Sequence, residues 1–274
     1  MKKISTSRVI LYIVLVIYAL ITLYPFLWAV FAAFKPFHEI VGGGLSLFPE
    51  NPTLDNFAHI LTRDPNFPRW IYNSFKVATI GTALNVVFNS MAGYALARLS
   101  FPGKKPLFMI ILAVITVPGQ ILLIPNFLIM RNLGLLDTHA ALILPSAINF
   151  AYIFMMRQFF MNFPKDIEEA ASVDGLNRFQ IFWKIVFPMA RASIATQGVF
   201  VFLGFWNEFL TPLLYLSSPR MFTLTLGLQT FQDQFATQWN YIMAGSVISL
   251  IPILILYICL NKYFMQGFRV GGDK

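Results

Sequence analysis

A chain of 274 residues that is 57% hydrophobic and only 12% charged, with a mean hydropathy of +0.67, cannot cover itself with water-facing surface; a soluble domain carries about twice that charge. The 29 phenylalanines argue the same way, because lipid tolerates such a load on a protein surface and water does not. The formal net charge of +8 would elsewhere suggest a nucleic-acid partner, but here the basic residues sit in short segments between apolar runs, the pattern of orientation signals in a membrane protein, and nucleic acid is set aside.

A hydrocarbon core about 30 Å thick takes about 20 apolar residues in a helix. Six such runs are predicted, so the expected fold is all-α, a polytopic bundle of six transmembrane helices. The first covers 9–34. Lys2 and Lys3 precede it as in a signal peptide, but the run is too long and no small-x-small cleavage site follows, so a retained helix is expected. In the next loop Thr53 is placed to cap a short helix whose Leu54, Phe57 and Leu61 share a face and lie flat on the outer interface.

The second run, 71–97, is rich in small and amide residues, from Gly81 and Ala83 to Gly93, Ala95 and Ala97. Small residues let helix backbones approach closely and amides bond across helices. Asn85 and Asn89 are one turn apart on one face, where they either join helices or line a pathway. The third run, 107–130, carries Pro118 and Pro125; the fourth, 139–160, Pro145; the sixth, 241–264, Pro252. Each proline removes a backbone donor and bends a helix, for packing or around a cavity. The fifth run, 194–216, holds Glu208, the one clear acid inside a span and so a candidate functional residue: a hydrogen-bonded carboxyl at an outer gate, or a direct solute contact. Cys259, the single cysteine, allows no disulfide, and His38, His59 and His139 are too scattered for a metal site.

Lys and Arg set the orientation. Lys2, Lys3, Arg8, Arg98, Lys104, Lys105, Arg157, Lys165, Arg178, Lys184, Arg191, Lys262, Arg269 and Lys274 fall on one side. Lys35, Arg63, Arg69, Lys76, Arg131 and Arg220 fall on the other, less than half as many, so both termini are expected in the cytoplasm.

The cytoplasmic segment 161–193, between the fourth and fifth runs, is the informative part. Pro164 ends the incoming helix, and Asp166, Glu168 and Glu169 suit the positive end of a new one. Gly175 supplies a left-handed cap, and a second helix runs from near Asn177 to Pro188. Ile167, Ala170 and Ala171 on the first helix, and Phe179, Phe182 and Val186 on the second, form faces suited to a groove on another protein. No nucleophile or metal cluster accompanies the carboxylates, and no GxxxxGK[ST] loop is present, so no enzyme chemistry is expected. The run Gly42-Gly43-Gly44 lacks the lysine such a loop needs.

Glu169-Ala170-Ala171, Asp174-Gly175, Ile185 and Pro188 together resemble the EAA loop of bacterial ABC import permeases, in the branch that handles sugars and includes the inner-membrane subunits of the maltose transporter. The likeness extends over most of the chain, through AGYALARLSFP at 92–102, Leu123-Ile124-Pro125, NLGLLDT at 132–138, Trp206-Asn207-Glu208-Phe209 and a short basic tail with Gly267. One position departs: Ala192 stands where the family usually has a second proline, which leaves the local helix geometry open.

The resemblance implies a single importer transmembrane domain over 1–274 in a bacterial inner (plasma) membrane, with 161–193 as its cytoplasmic coupling loop. Implied partners are a second, homologous permease chain, two copies of a cytoplasmic ATPase subunit that binds the ATP and Mg, and an extracytoplasmic solute-binding protein. Glu169, Ala170, Ala171, Asp174, Gly175 and Pro188 would belong to ATPase coupling; Asn85, Asn89, Trp206, Asn207 and Glu208 to a pathway or gate. The outer loop 217–240 would reach toward the binding protein. The solute would be a sugar or oligosaccharide; a polyol or glycerol phosphate is the alternative. An ion-coupled secondary transporter is disfavoured, because Glu208 has no evident charged partner within the spans.

Overall fold

The computed structural model describes residues 6–42, 46–232 and 237–269, the last helix as backbone only beyond Cys259. Lys2, Lys3, Gly43, Gly44, Lys274 and the side chains of Lys262 and Arg269 lie outside the described residues. The described chain is helical, and among the described residues no strand occurs; one isolated antiparallel bridge pairs Gln232 with Thr237. The chain forms two compact units, Met1–Pro68 with Gly227–Pro252, and Arg69–Leu226 with Ile253–Lys274.

In the first unit α1 (Thr6–Ala32) is apolar all round and its most apolar stretch buries nothing against the chain, as suits a helix solvated by lipid. Burial begins at its end, at Ala32 and Ala33. Lys35, 1% exposed, donates to the Ser46 carbonyl at 2.6 Å and stands 3.9 Å from Glu39 on the short α2 (Phe37–Gly42). The next helix, α3 (Asp55–Ala58), runs into a widened turn, His59–Arg63. Asn56 and Ile60 are buried, while Leu54 and Leu61 face out. Asn56 donates to the Ala33 and Lys35 carbonyls at 2.9 and 2.8 Å and accepts from Asn240 at 2.8 Å, so a polar side chain closes the end of α1.

The second unit is built on α4 (Phe67–Arg98), whose small residues allow the close contacts expected of them. A Cβ on Gly93 would stand 2.8 Å from the Met156 Cβ and 2.9 Å from the Arg157 nitrogen, so α4 and α8 (Phe150–Met161) touch almost backbone to backbone. Leu96, Ile111 and Ile153 extend that contact to α5 (Lys104–Ile115). At the other end of α4, Trp70 donates to the Pro219 carbonyl at 2.8 Å, and Asn73 to those of Arg220 and Phe222 at 2.9 Å each, which holds the turn Pro219–Met221.

Three described helices are long and apolar enough to cross a membrane: Ser7–Ala32, Phe67–Arg98 and Trp239–Cys259. The third predicted run is not one straight helix. It bends by 96° between α5 and the segment Gly119–Asn132, which ends in α6 (Leu123–Asn132). Pro118 sits in the break with extended backbone, and Pro125 lies in the first turn of α6, where its missing N–H costs no bond. The fourth run is divided too, into α7 (His139–Ile143) and α8, with Pro145 between them. In the fifth, α12 (Arg191–Asn207) stops at Glu208, whose ψ of 130° is extended, and α13 (Leu210–Tyr215) starts anew with Pro212 in its first turn. Pro252, by contrast, stands inside a continuous helix, α15 (Trp239–Arg269), as Pro25 does in α1.

Candidate functional site

The loop over 161–193 folds as two short helices with matched stops. In α9 (Lys165–Val173) the chain ends in a left-handed Gly175, φ +84°. The Leu176 N–H reaches back to the Ala171 carbonyl at 3.1 Å and the Gly175 N–H to that of Ser172 at 3.1 Å, the paired bonds of a glycine C-cap. Asn177 then caps α10 (Arg178–Ile181): its side chain accepts from the Gln180 N–H at 2.9 Å, and the Gln180 side chain accepts from the Asn177 N–H at 3.0 Å.

Pro188 acts further along. It has no N–H to offer the carbonyl four residues back, and the helix before it widens into a π-turn over Phe182–Val186, with the Phe187 N–H bonded to the Phe182 carbonyl. After α11 (Phe187–Met189) the chain turns 79° at the buried Ala190 into α12. The bend is therefore made without a proline at 192, and α12 runs straight through Ala192.

The inward face of this loop corrects the sequence expectation. Ala171, Phe182 and Val186 are buried with Tyr94, Phe160 and Ile181 in the chain's own core, and Ile167 packs against it. They are not free to seat in a partner. The outward residues are Glu169, Ala170 and Asp174, with Val173 at 88% and Phe179 at 64% exposure.

The buried acid is Glu168, not Glu169. Its Oε1 stands 2.8 Å from Arg98 Nε, with both side chains nearly closed off from solvent. Its Oε2 accepts from the Tyr94 hydroxyl at 2.9 Å and stands 3.8 Å from the largely exposed Arg178. Arg98 also donates to the Phe163 carbonyl. A buried ion pair gains from bonds to its remaining lone pairs and protons, and here Tyr94 serves the second oxygen of Glu168 while the Phe163 carbonyl takes an N–H of Arg98. Arg98 thus ties the last turn of α4 to both ends of the loop's first turn. From the sequence Arg98 reads as an orientation signal; the clue available was a lone arginine ending a span within reach of a loop with four acids.

A second group of predicted residues converges on a cavity of about 210 Å³ within the same unit, lined among others by Asn85, Ser146, Asn149, Tyr152, Glu208 and Thr223. Asn85 is 2% exposed and donates to the Ser146 carbonyl at 2.8 Å. Its side-chain oxygen accepts from the fully buried Gln197 at 3.1 Å. Asn89, wholly buried, accepts from the Asn149 N–H at 3.0 Å and donates to the Ala147 carbonyl at 3.5 Å. Both amides therefore satisfy the backbone freed by the break around Pro145, which a membrane interior demands. Asn85 also lines the cavity; Asn89 does not.

Glu208 sits in the break after α12. Its Oε1 accepts from the Thr211 N–H at 3.0 Å and hydroxyl at 3.1 Å, which caps α13, and its backbone carbonyl accepts from Thr225 at 2.9 Å. Trp206 is 1% exposed between Phe75 and Phe202, centroids 5.6 and 5.7 Å away, and packs the core; Asn207 is exposed. Nearby, Asp137 holds a left-handed φ of 59° and accepts from the Ser217 and Ser218 N–H groups at 3.0 and 2.9 Å and from the Ser218 hydroxyl. The Ser218 hydroxyl and the backbone N–H groups hold its carboxyl below the usual carboxylate range.

A profile described as "Binding-protein-dependent transport system inner membrane component" matches residues 89–270. The sequence is 37% identical, over 93% of this chain and 92% of the relative, to the arabinooligosaccharides transport system permease protein of Halalkalibacterium halodurans. It is 35% identical, over 92% and 89% respectively, to the sulfoquinovosyl glycerol transport system permease protein of Agrobacterium fabrum. The fold superposes with a TM-score of 0.85 and 25% identity, over 96% of this chain and 100% of the other, on a bacterial ABC transporter involved in the import of the acidic polysaccharide alginate.

Proposed function

Since this chain belongs to the inner membrane components of binding-protein-dependent transport systems, we propose that it is the permease subunit of an ATP-driven importer and supplies half of the path for a saccharide. The saccharide class follows the relatives, whose names specify arabinooligosaccharides and sulfoquinovosyl glycerol. In this reading the chain crosses the inner membrane six times with both termini in the cytoplasm, beside a second permease chain. Two ATPase subunits hold the ATP and Mg, and an extracytoplasmic protein delivers the solute.

The observation that carries the coupling role is the Arg98–Glu168 pair. A loop that is to pass force from an ATPase into the membrane must be stiff and joined to a long helix. The two capped helices are stiff, and the buried ion pair at 2.8 Å joins them to α4. The ATPase would grip the outward surface, Glu169, Ala170, Val173, Asp174 and Phe179, while Gly175 and Pro188 shape the turns that present it. Closure of the ATPases on ATP would push α9 and rock α4 with it. The membrane breaks at Pro118, Pro145 and Glu208 are the points where the remaining helices give.

The test uses a chain with Cys259 replaced and one cysteine at Ala170, in the assembled transporter. It should crosslink to the nucleotide-binding subunit and be shielded from reagents applied outside the cell. Labelling from the external face would remove the coupling role. The chain purified alone should neither bind nor hydrolyse ATP.

A further inference from the structure

The cavity in the second unit has a chemistry that the importer reading does not require. At about 210 Å³ it is smaller than the roughly 300–1,000 Å³ of pockets that enclose a drug-sized ligand, so it suits one unit of a larger solute. Its lining combines aromatic faces (Tyr152, Phe200 and Phe205) with hydroxyl, amide and carboxylate groups. That mixture fits a sugar ring, which presents apolar C–H faces and a rim of hydroxyls.

Two polar atoms are left over. Oε1 of Glu208 is committed to Thr211, but Oε2 has no hydrogen-bond partner among the described residues. Thr223 is 2% exposed and its hydroxyl has no partner among the described residues. A buried hydroxyl left unpaired costs about 1–3 kcal/mol, which a hydroxyl of a bound solute would recover. Among the described residues Glu208 is also the only carboxylate in the lining, and no Lys, Arg or His joins it there.

We propose that this cavity is a saccharide subsite in which Glu208 Oε2 and the Thr223 hydroxyl bind sugar hydroxyls, and in which the unopposed carboxylate selects uncharged sugars over uronates. The inference rests on the importer reading. A sugar hydroxyl donates to the carboxylate; a uronate would set a second negative charge beside it with no cation in the described lining to offset either. The selection is electrostatic and independent of ring shape.

The test measures direct saccharide binding by saturation-transfer NMR to the detergent-solubilised complex of both permease chains with the ATPases, without the binding protein. The probes are arabinotriose, lactose and trigalacturonate. Wild type should bind at least one neutral probe, and trigalacturonate about ten-fold or more weakly. Glu208→Gln, which keeps an acceptor for Thr211, should weaken the neutral probe about ten-fold and narrow the gap to trigalacturonate. Thr223→Val should weaken the neutral probe without changing the preference. Binding of no neutral probe, equal binding of trigalacturonate by wild type, or an unchanged preference in Glu208→Gln overturns the proposal. Uptake into proteoliposomes with the binding protein, followed in parallel, tests the importer reading alone: absence of any saccharide uptake defeats that reading, whereas uptake with unaltered binding in the variants defeats only the subsite.

Discussion

Glu168 and Asn89 are both buried side chains that hold irregular structure in place, and they differ in what their loss would leave behind. Glu168 is half of an ion pair at 2.8 Å, joined by Tyr94, and clamps a loop to the end of α4. Asn89 is neutral and completes the bonds of a broken helix, taking a donor from Asn149 and giving one to Ala147. A charge pair gives a stiff joint that fails badly when one partner goes. An amide gives a softer joint that leaves Asn85, one turn earlier on α4, room to face a cavity. In the proposed reading the loop transmits and the breaks yield.

The comparison can be broken most forcefully at Arg98. Arg98→Ala strands a buried carboxylate and should cost about 3–5 kcal/mol, seen as a large loss of thermal stability in detergent and of saccharide-stimulated ATPase activity. Loss no larger than that of an exposed-residue variant would mean that the pair is not a joint. Asn89→Leu keeps the volume but orphans two backbone groups, and should cost about 1–3 kcal/mol while leaving the loop's crosslink to the ATPase intact. Next comes Gly175→Asp, which puts a side chain on a φ of +84° with nothing within 4 Å to clash with it. The conformational cost is about 1 kcal/mol, so the protein should stay in the membrane but lose coupling; normal transport and normal stimulated ATPase activity would contradict this.

The smallest effect belongs to Asp137, whose carboxyl titrates below its ordinary range because Ser217 and Ser218 donate to it. Its stabilising contribution is present above the unfolded pKa and is lost as pH falls through the folded one. Asp137→Asn should therefore lower stability by about 1 kcal/mol or less near neutrality and flatten the dependence in acid, read by melting the protein across a pH series.

The caps of the loop were legible in the sequence because their signals are local: Gly175, Asn177 and Pro188 dictate backbone geometry within a few residues. The all-α membrane character was legible from composition. The loop's inner face was not. Periodicity marks Ile167, Ala171, Phe182 and Val186 as one apolar surface, but it cannot say whether that surface meets another protein or the chain's own Tyr94 and Phe160. Glu168 and Glu169 are adjacent in sequence and opposite in environment, and only the position of Arg98, seventy residues earlier, separates them. Proline marked the bends at 118 and 145 but not their sharpness, and no local signal marked the break at Glu208. A hydropathy window averages over 144–149 and sees an unbroken apolar stretch, while the break is permitted by amides on α4. Asn85 bonds to the Ser146 carbonyl and also lines a cavity, both within one unit.

The absent side chain at Gly93 has one more consequence. With α4 and α8 in such intimate contact over Gly93, Met156 and Arg157, neither can slide past the other without a collision of main chains. A shove delivered at one end must then travel as a tilt of both together, like a pair of planks nailed side by side, and its amplitude at the far end grows with their shared length.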